Sequence, residues 1–338
     1  MAIADSSDWV ETMSGSVHIV IVNWNTGRYL RECLESIINA EHAEVTIARV
    51  TVVDNASSDE SVKGLDDFPL PLELVHNSRN VGFAAASNQG AADSTGDYLL
   101  FLNPDTRLFP DTLATVTAFM DSEQAADIGI CGVQVVDGDG GPAISCARFP
   151  TLRVLFGEMT GLHLVVPRLF PGHQLTAAET AQSELVDQVI GAFYFVRRDL
   201  FARLGGFDER YFLYFEEVDF ALRARLQGVR SYFLKEAEVF HAENVSSNQV
   251  RGPRLHHSLR SRFLFAYQHW PPWQAHVLLA LTLTVELTAR LTKAALHGSG
   301  SDIAATALGY GNLLGDLRSL RSTIADGPHP DRAASLLG

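Results

Sequence analysis

A hydrophobic segment of the chain ends in three residues that suit the binding of a metal ion. Tyr98 to Leu102 is hydrophobic throughout, and Asn103, Pro104 and Asp105 follow it directly. A core strand delivers such residues to the carboxyl edge of the sheet, where open α/β sheets bind ligands. The Asp105 carboxylate is the hard oxygen ligand that Mg²⁺ or Mn²⁺ prefers when substrate phosphates supply further oxygens. An ordinary Asn-Pro-Asp turn is the alternative, and this segment alone does not decide between them.

A second carboxylate, Asp54, follows another predicted strand. Residues 47–53 are rich in β-branched side chains, which favours a buried strand. Because Asp54 shares the strand-end edge with Asp105, we expect it to contact a ligand and to accept the imide N–H of a pyrimidine base. An Asx turn followed by a helix capped by Ser57 or Ser58 accounts for the same residues.

The segment from Asn80 to Gly90 predicts a helix that begins with small side chains. Small residues let a ligand approach the backbone, and a helix N-terminus favours phosphate. Tight packing of the helix on the sheet explains this composition equally well.

Three carboxylates lie within four residues on a later predicted helix, which is otherwise hydrophobic. Glu216 and Asp219 share a helical face, which Arg223 extends, whereas Glu217 points about 100° away. Asp219 and Arg223 therefore suit a structural ion pair, and Glu217 or Glu216 suits a general base in a cleft. A solvated helix face is the alternative.

Further along the chain, His241 ends another predicted strand, and a cluster of basic residues follows between 251 and 262. At a strand end near a metal carboxylate, His241 suits a second metal ligand or a phosphate contact, although a lone histidine is often structural. The basic cluster suits a diphosphate or an anionic lipid, or simple solvation.

Strand and helix patterns alternate through the first hundred residues, which predicts a Rossmann-like α/β fold with a mixed, mainly parallel sheet flanked by helices. The later chain predicts a loop-rich excursion at 149–184, one strand at 186–196, two short strands at 229–234 and 237–241, and helices over 254–296. The last forty residues show little pattern. We expect a flexible N-terminus at 1–16, a catalytic domain at 17–250 and a helical C-terminal region at 251–338.

Composition narrows the class of protein. The 338 residues carry a net charge of −14 without a strongly basic domain, so nucleic acid is not an expected partner. The three cysteines lack CxxC spacing, the N-terminus lacks a secretory pattern, and no stretch reaches the ~18 apolar residues of a membrane span. A cytoplasmic protein is therefore expected.

One segment suits contact with a surface. It consists of Trp270 to Trp273 and the apolar helix after them, and it suits peripheral contact with the inner face of the plasma membrane, or a homodimer interface.

Several of these segments together resemble a known family. The chain is similar over about residues 17–270 to inverting family 2 glycosyltransferases of the GT-A fold, in the rhamnosyltransferase-like branch. The motifs that carry the resemblance occur in the family's order: Val20 to Asn25, Val53 to Asp59, Asn80 to Phe83, Leu102 to Asp105, Gly205 to Glu209, Phe215 to Asp219, and His241 with Ser246.

The resemblance implies a role for each matching residue. Asp54 contacts the nucleotide base, Asp105 binds Mg²⁺ or Mn²⁺ with His241, and Glu217 is the catalytic base, with Glu216 as its substitute. Glu217 stands where the family usually has Asp, Asn103 where many relatives carry the first acid of the metal motif, and Asn244 where the family has Gly. The further donor-binding residues are Asn23, Asn25, Asn80, Gly82, Phe83, Asn88 and Asn103.

The implied reaction transfers a sugar from a nucleotide-diphosphate donor to a glycan or lipid-linked glycan with inversion. By resemblance the donor is dTDP-L-rhamnose, and a UDP-hexose is the alternative.

Other classes of protein fit the sequence less well. A processive synthase is disfavoured because Gln268 to Trp270 does not match Gln-x-x-Arg-Trp. A nucleotidyltransferase is disfavoured because residues 23–27 form no basic glycine-rich loop. A non-catalytic nucleotide-sugar-binding protein is the remaining alternative.

Overall fold

The computed structural model describes residues 15–40, 45–65, 67–242 and 250–325. The strands within these ranges form a nine-stranded sheet and a separate two-stranded sheet. They are β1 Ser16–Asn23, β2 Thr46–Asp54, β3 Leu72–His76, β4 Tyr98–Leu102, β5 Thr106–Leu108, β6 Ile128–Val136, β7 Cys146–Ala147, β8 Glu184–Val186, β9 Gln188–Val189, β10 Phe193–Arg197 and β11 Arg230–His241. The predicted flexible N-terminus, apart from its last two residues, lies outside the described part of the chain.

One half of the large sheet is parallel and matches the predicted strands. Its order is β3-β2-β1-β4, and β1 pairs in parallel with both β2 and β4. These strands are apolar because helices cover both faces of the sheet, as in other parallel sheets. Asn23 pairs with Asp54 in register, so two predicted ligand residues end neighbouring strands.

The other half of the sheet is mixed and brings distant segments together. β10 runs antiparallel to β4 and β6, and β11 runs parallel to β6 and antiparallel to β5 and β8. In the β5–β11 pair, His241 lies opposite Thr106, and the Ala242 N–H donates to the Asp105 carbonyl over 3.0 Å. This pairing sets His241 beside Asp105, the predicted metal ligand.

The helices of the described chain surround this sheet. They are α1 Tyr29–Asn39, α2 Phe83–Ala91, α3 Thr112–Asp121, α4 Leu152–Thr160, α5 Leu162–Val165, α6 Arg198–Arg203, α7 Glu216–Leu226, α8 Arg251–His269, α9 Pro272–Leu281, α10 Leu287–Leu296 and α11 Gly300–Ala325. A 3₁₀ turn spans Glu123–Ala125, and a π-helical stretch, Thr282–Glu286, joins α9 to α10.

Several predicted elements are wrong in detail. The excursion at 149–184 contains α4 and α5, because Val154 and Leu155 bury an apolar face that the scattered Pro and Gly obscured. The single strand at 186–196 is divided into β9 and β10, whereas the two strands at 229–241 are one strand whose register shifts between Leu234 and Glu238. The patternless C-terminal forty residues include the long helix α11.

The C-terminal helices share a hydrophobic core with the sheet domain. Phe220 of α7 and Phe263 and Trp270 of the α8 region belong to one cluster of buried side chains, which also includes Tyr310 and Leu313 of α11. Inside the helical region, Arg262 donates to Glu286 over 2.5 Å, and Glu286 also accepts from Arg290. These helices and the sheet therefore share one hydrophobic core.

The expectation that no segment could span a membrane is wrong for the continuous helix from Pro272 to Leu296. By length and composition this helix could cross a membrane, and only 22% of its most apolar window is buried. The π-helical stretch keeps the helix continuous through Glu286, which follows the apolar stretch at 277–285. Core helices of proteins without membrane spans can have the same length and composition.

Candidate active site

The centre of the candidate site is a contact between Asp105 and His241. The His241 Nε2 atom lies 3.1 Å from Oδ1 of Asp105 and 3.5 Å from Nδ2 of Asn103. Both the histidine and the carboxylate are nearly buried, with side chains 13% and 10% exposed. A carboxylate and an imidazole on a preformed strand pair are ligands that a divalent ion accepts, with room left for substrate oxygens.

The described residues contain no cluster of three or more His, Cys, Asp or Glu side chains that could enclose a metal ion. Asp105 and His241 therefore supply only part of the ligands that a metal ion needs. Such a pair fits an ion such as Mg²⁺, which takes most of its ligands from water and substrate phosphates.

A cavity of about 520 Å³ opens in front of this pair. Six of the predicted residues line it: Asn80, Gly82, Phe83, Asn103, Asp105 and His241. The sequence analysis did not single out several other lining residues, among them Trp24, Asn55, Phe212 and Tyr214. Arg254 and His257 line the cavity as well. Trp24 lies inside a motif that was recognised, and Arg254 and His257 belong to the basic cluster, whereas Phe212 and Tyr214 gave no signal as ligand contacts.

The wall of the cavity contains a stacked aromatic pair. The rings of Phe212 and His257 lie 4.4 Å apart with planes inclined by 19°. Burial, and then the neighbouring His256, lower the pKa of His257 to about 4, so its imidazole is neutral near pH 7. Its buried Nδ1 atom lacks a hydrogen-bond partner among the described residues. A flat, neutral surface of this kind suits a base or a sugar ring.

The backbone at Gly82 fixes the opposite wall. Gly82 has φ +92°, and a Cβ atom at this position would lie 2.5 Å from the Phe212 carbonyl oxygen. The next residue, Phe83, donates its N–H to the same oxygen over 2.7 Å. Asn55 ties the segment down further, since its Nδ2 donates to Asn80 Oδ1 and to the Gly82 carbonyl. Close backbone contact thus accounts for the small residues at the start of α2.

Asn23, Asn25 and Asp54 lie at the same sheet edge, but they are not among the residues that line the cavity. Asn23 Nδ2 donates to Asp54 Oδ1 over 3.0 Å, and the Asp54 side chain is 8% exposed. Asn25 has φ 52° and accepts the Ser58 N–H over 2.7 Å. In this structure, therefore, the three side chains fasten the loops that follow β1 and β2 to each other.

Asn88 lies away from the predicted donor position. Its Nδ2 donates to the Phe207 carbonyl, and its Oδ1 accepts the Phe207 N–H, each over 2.9 Å. Both ends of the amide are therefore engaged in holding the turn around Gly206, and Asn88 is not among the residues that line the cavity. A contact between Asn88 and the donor stays a prediction.

The two candidate bases, Glu216 and Glu217, begin α7 after a strained turn. Tyr214 and Phe215 both adopt left-handed backbone angles, φ 68° and 72°, which are unfavourable for side chains of this size. The Oε2 atoms of Glu216 and Glu217 are buried without hydrogen-bond partners among the described residues. Burial raises the pKa of both carboxyls, and the adjacent Glu217 raises that of Glu216 further.

Glu217 is not among the residues that line the cavity. A Cβ atom at Gly191 would lie 3.9 Å from the Glu217 carboxyl group. The next residue, Ala192, accepts the Asn103 N–H with its carbonyl over 3.0 Å. One short backbone segment thus separates Glu217 from the Asn103–Asp105 turn, so the two acids belong to one region of the fold.

Asp219 forms the centre of a buried ion cluster, in keeping with its predicted structural role. Arg223 Nε donates to one carboxylate oxygen over 2.7 Å, and His269 Nε2 lies 2.7 Å from the other. Arg223 also donates to the carbonyls of Leu204 and Gly206. This cluster joins α7 to the Gly205–Gly206 turn and to the end of α8, and nothing in the sequence indicated the part of His269.

Comparison with known families agrees with this geometry. The model of glycosyl transferase family 2 matches residues 18–166. This range runs from β1 to α5 and includes Asp105. The chain contains a family 2 glycosyltransferase domain. The residues of the Asn103–Asp105 turn thus belong to a glycosyltransferase, and the predicted family resemblance is confirmed.

Curated relatives extend beyond this domain. The glycosyltransferase is 26% identical over 297 residues to N-acetylglucosaminyl-diphospho-decaprenol L-rhamnosyltransferase of Mycobacterium tuberculosis, covering 82% of this chain and 93% of the relative. It is 28% identical over 264 residues to the rhamnosyltransferase WbbL of Escherichia coli K12, covering 75% and 88%.

Solved structures share the fold. A mannosyltransferase of Pyrobaculum calidifontis, in complex with GDP-Man and Mn²⁺, covers 93% of this chain and 84% of its own at 20% identity with a TM-score of 0.52. GalNAc-T7 with UDP, GalNAc and Mn²⁺ gives a TM-score of 0.55 at 16% identity, over 75% of this chain and 50% of its own. The enzyme is a glycosyltransferase of the GT-A fold with a helical C-terminal region.

Proposed function

We propose that this glycosyltransferase transfers L-rhamnose from dTDP-L-rhamnose to a hydroxyl group of a lipid-linked glycan, with inversion at the anomeric carbon. The observation that carries the proposal is the Asp105–His241 pair at the end of a cavity of about 520 Å³, within a chain that matches a rhamnosyltransferase over 93% of that relative. The relative's name specifies a diphospho-decaprenol acceptor. We propose an acceptor of the same chemical kind for this enzyme.

The donor occupies the cavity, with its diphosphate near Asp105 and His241. Asn80, Gly82 and Phe83 form one wall, and Phe212 stacked on His257 forms the other. Asp54 accepts from the base after its bond to Asn23 is rearranged, and Asn25 supports that loop.

Asp105 and His241 are the residues that would hold Mg²⁺ or Mn²⁺. When bound, the ion neutralises negative charge that develops on the leaving diphosphate. Asn103 Nδ2 lies 3.5 Å from the same Nε2 atom of His241 and limits the orientation of the ring. Both structural neighbours described above carry Mn²⁺, which supports the assignment of a divalent ion by analogy of fold alone.

Glu217 is the proposed base. Its raised pKa, caused by burial, suits a group that must take a proton from the acceptor hydroxyl near neutral pH. The hydroxyl oxygen attacks the anomeric carbon while the bond to the diphosphate breaks, and the proton passes to Glu217. Because Glu217 does not line the cavity, the proposed proton transfer requires a rearrangement that brings its carboxylate to the acceptor hydroxyl when the donor binds. Glu216, which is 5% exposed, is the substitute base.

We infer that the enzyme acts at the cytoplasmic face of a membrane, because its proposed acceptor is lipid-linked and the helix from Pro272 exposes apolar side chains. The test is transfer and donor hydrolysis measured across dTDP-rhamnose, UDP-glucose, UDP-N-acetylglucosamine and GDP-mannose, with and without Mn²⁺. We expect dTDP-rhamnose to give the highest kcat/KM and to require the metal. Preference for a UDP-hexose would replace the donor, and nucleotide binding without any turnover would favour a non-catalytic nucleotide-sugar-binding protein.

A further inference from the structure

A second cavity, of about 700 Å³, lies between α8, α10 and α11. The cationic side chains of its lining are Arg251, Arg254, Arg290 and Lys293, and Asp302 is its one carboxylate. This local excess of positive charge contrasts with the net charge of −14 for the whole chain. A concave surface with such a charge attracts an anion, because low-dielectric walls focus the field.

Ion pairs inside the protein neutralise only part of this charge. Arg251 lies 3.1 Å from Asp302, and Arg290 donates to Glu286, which also accepts from Arg262. Within the described chain, Lys293 has no carboxylate partner, and Arg254 directs its Nε to the neutral Tyr214 hydroxyl over 2.8 Å. Two cationic groups are therefore left for a ligand, which corresponds to the charge of a diphosphate diester.

This basic cavity adjoins the donor cavity. Tyr214 and Arg254 line both of them. The α8 residues alternate between the two spaces, since Pro253 and His257 line the donor cavity whereas Leu255 and Ser258 line the basic cavity. A ligand bound beside Lys293 would therefore have its next chemical group close to the wall that borders the donor.

An exposed apolar surface approaches the basic cavity from the other direction. Arg290 and Lys293 are near the end of the continuous helix that begins at Pro272, and its first half exposes Trp273 (62%) and Val277 (38%). From Val277 to Arg290 the helix rises about 20 Å at 1.5 Å per residue. The exposed apolar side chains and the cations of the basic cavity therefore lie on one continuous helix, and the basic cavity adjoins the donor cavity.

We infer that the basic cavity binds the diphosphate of a lipid-linked acceptor, with the lipid chain along the exposed face of the Pro272 helix and the acceptor sugar directed past Tyr214 toward the donor. This inference rests on the proposed function, and it adds the site at which the acceptor is recognised. Lys293 and Arg254 are the residues that contact the diphosphate, and Arg251 and Arg290 join them when their ion pairs rearrange.

Kinetics with two acceptors test the inference. One acceptor is N-acetylglucosaminyl diphospho-polyprenol, and the other is an octyl N-acetylglucosaminide, which has the same sugar and an apolar chain without diphosphate. For Lys293→Glu we expect KM for the diphosphate acceptor to rise about tenfold or more, as the loss of one charge-assisted contact implies. The kinetic constants for the octyl glycoside and the KM for the donor stay within about twofold, a change of less than about 0.4 kcal/mol. Lys293→Arg retains the low KM.

Lys235→Glu is the matched control, because it reverses an exposed cation on β11, whose ammonium group contacts the Ala181 carbonyl. Equal losses with both acceptors, or an unchanged KM with the diphosphate acceptor, would overturn the inference. A loss of binding to anionic phosphatidylglycerol vesicles with unchanged acceptor KM would also overturn it, because the cavity would then bind a phospholipid head group.

A binding measurement separates this inference from the proposed function. Titration calorimetry with inorganic pyrophosphate, in the presence of saturating dTDP and Mn²⁺, reports on the basic cavity without any turnover. We expect binding to the wild type and to Lys235→Glu, and at least about tenfold weaker binding to Lys293→Glu. Pyrophosphate binding without sugar transfer to any acceptor would refute the proposed function alone, whereas transfer without Lys293-dependent binding would refute the inference alone.

Discussion

Nε2 of His241 lies 3.1 Å from Oδ1 of Asp105, although 136 residues separate them in sequence. The antiparallel pairing of β11 with the short strand β5 produces this contact, because it sets His241 opposite Thr106. Asp105 immediately precedes β5, so the pair is built into the sheet rather than into a free loop. Ligands placed on strands in this way are held with little freedom before the donor binds.

The first prediction concerns the metal ligands. Asp105→Asn removes the carboxylate, so we expect Mn²⁺-dependent binding of dTDP to weaken about tenfold or more, because a hard divalent ion strongly prefers a charged oxygen. Titration calorimetry with and without Mn²⁺ measures the change. Asp111→Asn, at an exposed acid just beyond β5, is the control. An unchanged dependence on Mn²⁺ in Asp105→Asn would remove this residue from the metal site.

The second prediction concerns the base. In Glu217→Gln we expect kcat to fall by about 10²–10⁴, the usual contribution of a general base, while dTDP binding persists. Glu216→Gln, one residue away in the same buried setting, is the matched control and keeps most of its turnover. If Glu216→Gln loses turnover and Glu217→Gln keeps it, the roles of the two acids are exchanged.

The third prediction is the pH dependence of turnover. Burial raises the pKa of Glu217 above the ordinary value, which is about 4.3 for glutamate. A base acts only when deprotonated, so kcat should fall as pH drops through that raised pKa, at a higher pH than an exposed carboxylate would give. A kcat–pH profile of the wild type measures this acid limb. A profile that stays flat down to the ordinary glutamate range would contradict the assignment.

The fourth prediction concerns stability. Burial and the adjacent Glu217 raise the folded-state pKa of Glu216, so the folded protein binds more protons than the unfolded chain between the two pKa values. The free energy of unfolding should therefore decrease as pH rises from the ordinary glutamate range through the raised pKa. Glu216→Gln should flatten this decrease and raise Tm at pH 8 relative to the wild type. Thermal denaturation from pH 4 to pH 9 measures both, and identical profiles would count against a protonated Glu216.

The fifth prediction concerns the wall of the donor cavity. In Gly82→Ala the new Cβ atom would lie 2.5 Å from the Phe212 carbonyl, and φ +92° is unfavourable for alanine. We expect a loss of stability of about 1–3 kcal/mol and weaker nucleotide binding, because the wall must move. Gly138→Ala is the control, since that glycine has open space around it. Equal Tm values for the two variants would show that the wall yields without strain.

The sixth prediction concerns the membrane. Removing the chain after His269 would also remove Ala275 and Leu278, which are fully buried in the shared core, so substitution in the full chain is the sounder test. We expect Trp273→Gln with Val277→Gln to reduce flotation with liposomes, because interfacial Trp and exposed apolar area drive such binding. Leu185→Gln, at a comparably exposed apolar residue on β8, is the control. Unaltered flotation of the double variant would defeat the membrane assignment.

The order of the elements around the parallel half of the sheet could be predicted from sequence. Residues such as Ile19, Ile21 and Val52 occur in short β-branched runs, and the turn residues between those runs are local signals. The same local signals failed where burial depends on distant partners. Helix α4 and the break between β9 and β10 exist because the C-terminal helices and the small sheet pack against them.

The sequence by itself determined the family, the α/β class and the residues at the strand ends, because these follow from local patterns of burial and from motifs in a fixed order. The tertiary structure alone decided which of those side chains share a cavity. Strand pairing over long sequence distances joined His241 to Asp105, whereas the pairing of β1 with β2 turned Asn23 and Asp54 toward each other. The direction of a side chain at a strand end depends on the register of its neighbours, and register is a property of the whole sheet.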